Sequence, residues 1–166
     1  VRGRWLLLAS AVVAGVVIFA IWAAGPDGPQ VVVGRVGEFP PGSITAMELD
    51  VLLTGPVPEV SDSADGARVT VPVLLVNVPQ SGFLALYNRD PHLGCRVLLA
   101  GDVPSDIGRP FPPEVVFVNP CHGEKYDLVG RYLAGPSPRG LDRFGVSVVE
   151  GDVVVDVMAF EYGPAR

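Results

Sequence analysis

Asn119-Pro120-Cys121-His122-Gly123-Glu124-Lys125-Tyr126 decides the reading of this chain, together with the upstream segment Asp90-Pro91-His92-Leu93-Gly94-Cys95. Both cysteines and both histidines of the 166 residues fall inside these two segments. No nucleophile–base constellation and no phosphate-cradling loop accompanies them, so hydrolase and nucleotide chemistry find no support, and the chain is expected to have no enzymatic activity of its own.

The two segments resemble the cluster-binding loops of Rieske iron–sulfur proteins, whose pattern is Cys-x-His-x-Gly-Cys followed by Cys-x-Cys-His-Gly. In that family each loop gives one Cys and one His to a 2Fe-2S cluster, with two thiolates on one iron and two imidazoles on the other. The resemblance covers roughly residues 31 to 158. It extends to Gly135-Pro136-Ser137-Pro138, which is similar to the proline loop that shields the cluster. It implies that His92 and His122 stand at the imidazole positions, and that Cys95 and Cys121 form the family's disulfide, closing a loop worth about 3 kcal/mol in the chain-entropy model.

The two thiolate positions depart from the pattern. Asp90 stands at the first and Asn119 at the second. A carboxylate is a hard oxygen ligand and an amide a neutral, poor one, whereas a cluster iron needs thiolate charge and softness. Glu124 replaces a serine that donates a hydrogen bond to the cluster, and an ionised carboxylate only accepts. Tyr126 matches the family's second donor, and Pro136 falls in the shielding loop. Asp90 and Asn119 thus read as vestigial ligand positions on a degenerate site, with no cofactor expected.

Three roles for His92 and His122 stay open. They are relic imidazoles at an exposed tip; or, with Asp90 alone or with Asp90 and Glu124, ligands of a single metal ion such as Zn, Fe(II) or Cu; or proton-handling or partner-contact groups.

Outward from the site, short apolar runs separated by Gly, Pro, Asp and Ser predict an antiparallel all-β domain over residues 31–166. The expected strands are Val31 to Val36, Ile44 to Leu53, Arg68 to Val78, Phe83 to Tyr87, Val115 to Val118, Val146 to Val149 and Val153 to Met158. Glu150-Gly151-Asp152 marks the clearest hairpin turn. Residues 55–66 and 101–113 read as polar loops, and no internal repeat is evident.

Residues 5–24 carry no charge, about the ~20 residues a helix needs to cross the hydrocarbon. Trp22 spoils a signal-peptidase cut after Ala24, which favours a retained transmembrane helix over a cleaved signal. Arg2 and Arg4 place residues 1–4 in the cytoplasm by the positive-inside bias, and residues 25–30 are a Gly/Pro linker to a periplasmic or extracellular domain. Ser10 with Ala14, and Ala11 with Gly15, give small residues four apart that suit close helix packing.

All eighteen acidic and ten of the twelve basic residues lie beyond residue 24, a charge of −8 for that part. Such a charge disfavours nucleic acid. The resemblance implies a single-span accessory subunit of a respiratory or photosynthetic, quinol-oxidising type of complex, with cytochrome- or quinone-binding membrane subunits as partners. Two alternatives remain: an active electron carrier with an unorthodox 2Fe-2S cluster or one metal ion at His92, His122 and Asp90, and a surface metal-binding or sensory module.

Overall fold

The computed structural model describes residues 30–60, 66–104 and 110–166. The expected cytoplasmic segment 1–4, the transmembrane helix 5–24 and the linker, except for Gln30, lie outside the described residues. Ten strands are present among those described: β1 Gln30–Arg35, β2 Ile44–Leu52, β3 Arg68–Val78, β4 Gly82–Tyr87, β5 Leu98–Leu99, β6 Phe117–Val118, β7 Lys125–Tyr126, β8 Tyr132–Ala134, β9 Arg143–Val149 and β10 Asp152–Glu161. A three-residue 3-10 turn, Val36–Glu38, takes over at the expected end of the first strand.

The strands form two antiparallel sheets. The large one has the order β1-β10-β9-β4-β3-β2 and the small one the order β5-β6-β7-β8. The anticipated hairpin joins β9 and β10, but its turn has two residues, Glu150 and Gly151, rather than three, since Asp152 already pairs with Val149. Glu150 and Gly151 both take positive φ, 51° and 87°, the twist that a tight hairpin between right-twisted strands requires.

β3 explains how the two sheets share one molecule. Val71, Val73 and Leu75 point into a core to which all six large-sheet strands contribute, with Leu49, Val51, Ala85, Phe144, Val153 and Val155 among its members. Leu74 and Val76 point the other way, onto Phe117, Tyr126 and Leu141. Successive side chains of a strand face opposite sides, so a strand buried on both faces reads as the continuous apolar run seen here. Pro72, which has no N–H to give, sits where pairing with β4 has ended: that pairing stops at Val73↔Tyr87, and the Pro72 carbonyl takes the N–H of Asn88.

β4 and β9 lie side by side in the large sheet, Ala85 against Phe144 and Leu86 against Arg143. Everything between them, residues 88–142, is therefore an insertion that leaves the large sheet, builds the small one and returns. Both His/Cys loops belong to it.

Tyr87 ends β4 inside the core, its hydroxyl donating to the Glu59 carbonyl at 3.2 Å. Burial is the main cause raising its pKa, with Arg89 opposing. The unfolded chain therefore releases this proton near pH ~10, while the folded chain still holds it. This contribution to stability is complete below that pH and is lost as the pH rises toward the folded-state value. Denaturant midpoints should accordingly fall between about pH 9 and 11, and fall less in Tyr87→Phe.

Candidate functional site

The two loops have the same backbone bonding. In the first, Asp90 N–H donates to the Cys95 carbonyl at 2.8 Å and the Asp90 carbonyl accepts from Gly94 at 2.9 Å. In the second, Asn119 N–H donates to the Glu124 carbonyl at 2.8 Å and the Asn119 carbonyl accepts from Gly123 at 2.9 Å. Each loop also has its Asx side chain accept from the residue two further on: Asp90 Oδ1 from His92 N–H, and Asn119 Oδ1 from Cys121 N–H, both at 2.7 Å. Gly94 and Gly123 turn each chain back at φ of 73° and 81°.

Asp90-Pro91-His92-Leu93-Gly94-Cys95 and Asn119-Pro120-Cys121-His122-Gly123-Glu124 are thus two copies of one six-residue turn. This corrects the reading that the chain has no internal repeat. The shared signal was Asx-Pro-x-x-Gly, too short to stand out without its hydrogen bonds. Asp and Asn are the residues whose short side chains close such turns.

Asp90 and Asn119 are buried, at 2% and 0% exposure. Asp90 Oδ2 accepts a short hydrogen bond from the hydroxyl of Tyr126, so both of its oxygens are committed inside the fold. Tyr126 is itself fully buried; burial, followed by its bond to Asp90, raises its pKa strongly. The residue expected to face a cluster is thereby turned to Asp90.

Cys95 and Cys121 form the anticipated disulfide, spanning 26 residues. It brings His92 and His122 together with ring centroids 5.2 Å apart and planes at 77°. His92 is partly buried and His122 exposed. His92 Nδ1 lies 3.0 Å from Glu124 Oε1, and Glu124 is 0% exposed. The expected ligand set is corrected here: His92, His122 and Glu124 bring ligand atoms within 4.8 Å of one another, and Asp90 is not among them, because its oxygens are held by His92 N–H and Tyr126.

A third loop closes over this arrangement from behind. Gly135, at φ 105°, lies so close to Glu124 that an added Cβ would meet the Glu124 Cα at 2.6 Å. Its carbonyl accepts from the Tyr132 hydroxyl and from Arg166, and Arg166 also holds the Ser137 carbonyl at 2.6 Å. Arg139 grips the buried Asp142 through two nitrogens at 2.7 and 2.8 Å, and that bond keeps its guanidinium pKa high. Pro136, expected to shield the site, is exposed. The contact with Glu124 is made by Gly135.

No family model matches the chain. Over 66 residues it is 33% identical to the cytochrome b6-f complex iron-sulfur subunit of Chlorobaculum tepidum, covering 40% of this chain and 30% of that protein. Over 51 residues it is 45% identical to the ubiquinol-cytochrome c reductase iron-sulfur subunit of Rhodobacter capsulatus, covering 31% of this chain and 22% of the relative. Over these segments the chain is similar to the iron–sulfur subunits of both complexes. Its fold agrees: the soluble domain of Rieske protein II from Sulfolobus acidocaldarius superposes with a TM-score of 0.51 at 18% identity, covering 80% of this chain and 81% of that one. The chain matches less than a third of the length of either curated relative.

The residues present do not fit the 2Fe-2S cluster that the Rieske family implies. The only two cysteines of the chain are bonded to each other, which leaves no thiolate. Asp90 and Asn119 each turn one oxygen onto a loop N–H group, the second Asp90 oxygen accepts from the Tyr126 hydroxyl, and Glu124 places a carboxyl group in the interior.

Proposed function

We propose that the chain is a Rieske-type subunit of a membrane electron-transfer complex of the quinol-oxidising class, structural or accessory in role and without the standard cluster. The observation that carries this reading is the pair of Asx turns: at both thiolate positions of a Rieske tip the side chain closes its own loop. A tip stabilised by those turns and by Cys95–Cys121 needs no iron to hold its shape. Its sequence likeness to the iron–sulfur subunits of cytochrome b6-f and ubiquinol-cytochrome c reductase complexes supports the choice of complex. The uncharged run 5–24 and the flanking Arg2 and Arg4 support a single span with the β domain outside the cytoplasm.

Gentle detergent extraction from the native membrane should recover the protein with cytochrome- or quinone-binding subunits. The chain isolated from that assembly should contain no labile sulfide and give no Rieske electron paramagnetic resonance signal. Asp90→Cys with Asn119→Cys should recover some cluster on reconstitution, and Glu124→Ser should improve the yield. A lone monomer on extraction would overturn the assembly reading, and stoichiometric iron and sulfide would overturn the cluster-free one. Protease added to spheroplasts should digest the β domain; protection of that domain would reverse the proposed topology.

A further inference from the structure

We propose that His92, His122 and Glu124 bind one divalent transition-metal ion at the tip, through one ring nitrogen of each histidine and one carboxylate oxygen. The inference rests on the cluster-free reading above and assigns the site a ligand of its own. Two independent observations carry it.

The first is convergence. The two imidazoles and the carboxylate come from both loops, yet their ligand atoms all lie within 4.8 Å. The Cys95–Cys121 bond fixes the loops against each other immediately beside His122.

The second is an unmet electrostatic demand. Glu124 is 0% exposed, and its Oε2 has no hydrogen-bond partner. A buried polar atom left unpaired costs about 1–3 kcal/mol, and more if charged. Asn119 Nδ2 is also buried and unpartnered, and the two do not satisfy one another. A cation at Oε2 supplies what the protein does not.

Donor chemistry selects the ion. Two imidazoles and one carboxylate suit Zn²⁺ or Fe²⁺, whereas Ca²⁺ and Mg²⁺ favour oxygen alone and Cu(I) favours sulfur. Ligand atoms around such an ion at about 2.0–2.2 Å stand roughly 3.3–3.6 Å apart in a tetrahedron, so the 4.8 Å span has to contract. His122 is exposed, and rotation of its ring supplies the movement. Three protein ligands leave a fourth position open to water or to a group from a partner.

The test uses tag-free, full-length, detergent-solubilised protein stripped with a chelator. Calorimetric titration with Zn²⁺ should find one site per chain. Glu124→Gln and His122→Ala should each weaken it roughly 100-fold, and Asp90→Asn should leave it unchanged. Circular dichroism of each stripped variant should match that of the unsubstituted protein. A second readout needs no substitution: with only two histidines in the chain, one bound Co²⁺ should broaden both imidazole resonances together. Absence of Zn²⁺ binding, broadening of one imidazole or neither, or loss of affinity in Asp90→Asn but not Glu124→Gln would overturn the site. Labile sulfide, assayed separately on native-source protein, would overturn the cluster-free reading instead.

Discussion

Cys95→Ser combined with Cys121→Ser is expected to lower stability by about 3 kcal/mol, the chain-entropy value for the closed loop, and the melting temperature by roughly 10 °C. The bond ties two loops that β5 and β6 otherwise join through only two residue pairs, Leu98↔Val118 and Leu99↔Phe117. Hydrogen exchange should localise the loss. Amides of Gly94 and Gly123 should become exchange-labile, while those of β3 and β10 keep their rank order, because the large-sheet core contains no residue of either loop. An unchanged denaturation midpoint would mean that the Asx turns hold the tip unaided.

The second large effect is expected at Gly135. Ala there meets the Glu124 backbone at 2.6 Å and sits at φ 105°, a conformation that side chains resist. Strain of the backbone and overpacking each cost about 1–3 kcal/mol, and relief has to come from moving the second loop. Gly135→Ala should therefore lose about 3 kcal/mol and also displace Glu124 from His92, visible as a shift of the His92 imidazole resonance. Gly123→Ala is the contrast: nothing lies within 4 Å of its Cβ, so it should show only the φ penalty of about 1–2 kcal/mol. Equal effects at both positions would remove the argument from contact.

Long strands were legible because their burial pattern is written in the sequence. Ile44 to Leu53 and Arg68 to Val78 agree with β2 and β3 to within one residue at each end. β5, β7 and β8 have two or three residues each, shorter than any period can show, and only Phe117–Val118 of the expected Val115 to Val118 pairs. At the site, the disulfide followed from the family resemblance. Asp90 did not: its residue type suits a metal ligand, and only the hydrogen bonds to His92 N–H and Tyr126 reveal that it serves the turn. Glu124 read as a lost donor, because burial of a carboxylate beside an imidazole depends on Gly135, eleven positions away in sequence, covering it.

The pairing of β1 with β10 governs the order in which this fold is completed. β2, β3 and β4 lie within residues 44–87 and join as neighbours in the chain, so they can associate as soon as they are synthesised. β1 is made before them, yet its partners, Asp152 to Asp156, come more than a hundred residues later. Until they arrive, its backbone donors and acceptors wait unpaired on an apolar strand, the situation that invites pairing with a neighbouring chain. Ribosome-bound chains halted before residue 150 should therefore have a protected β2–β4 meander and a protease-sensitive first strand, and chaperone dependence should be confined to that interval.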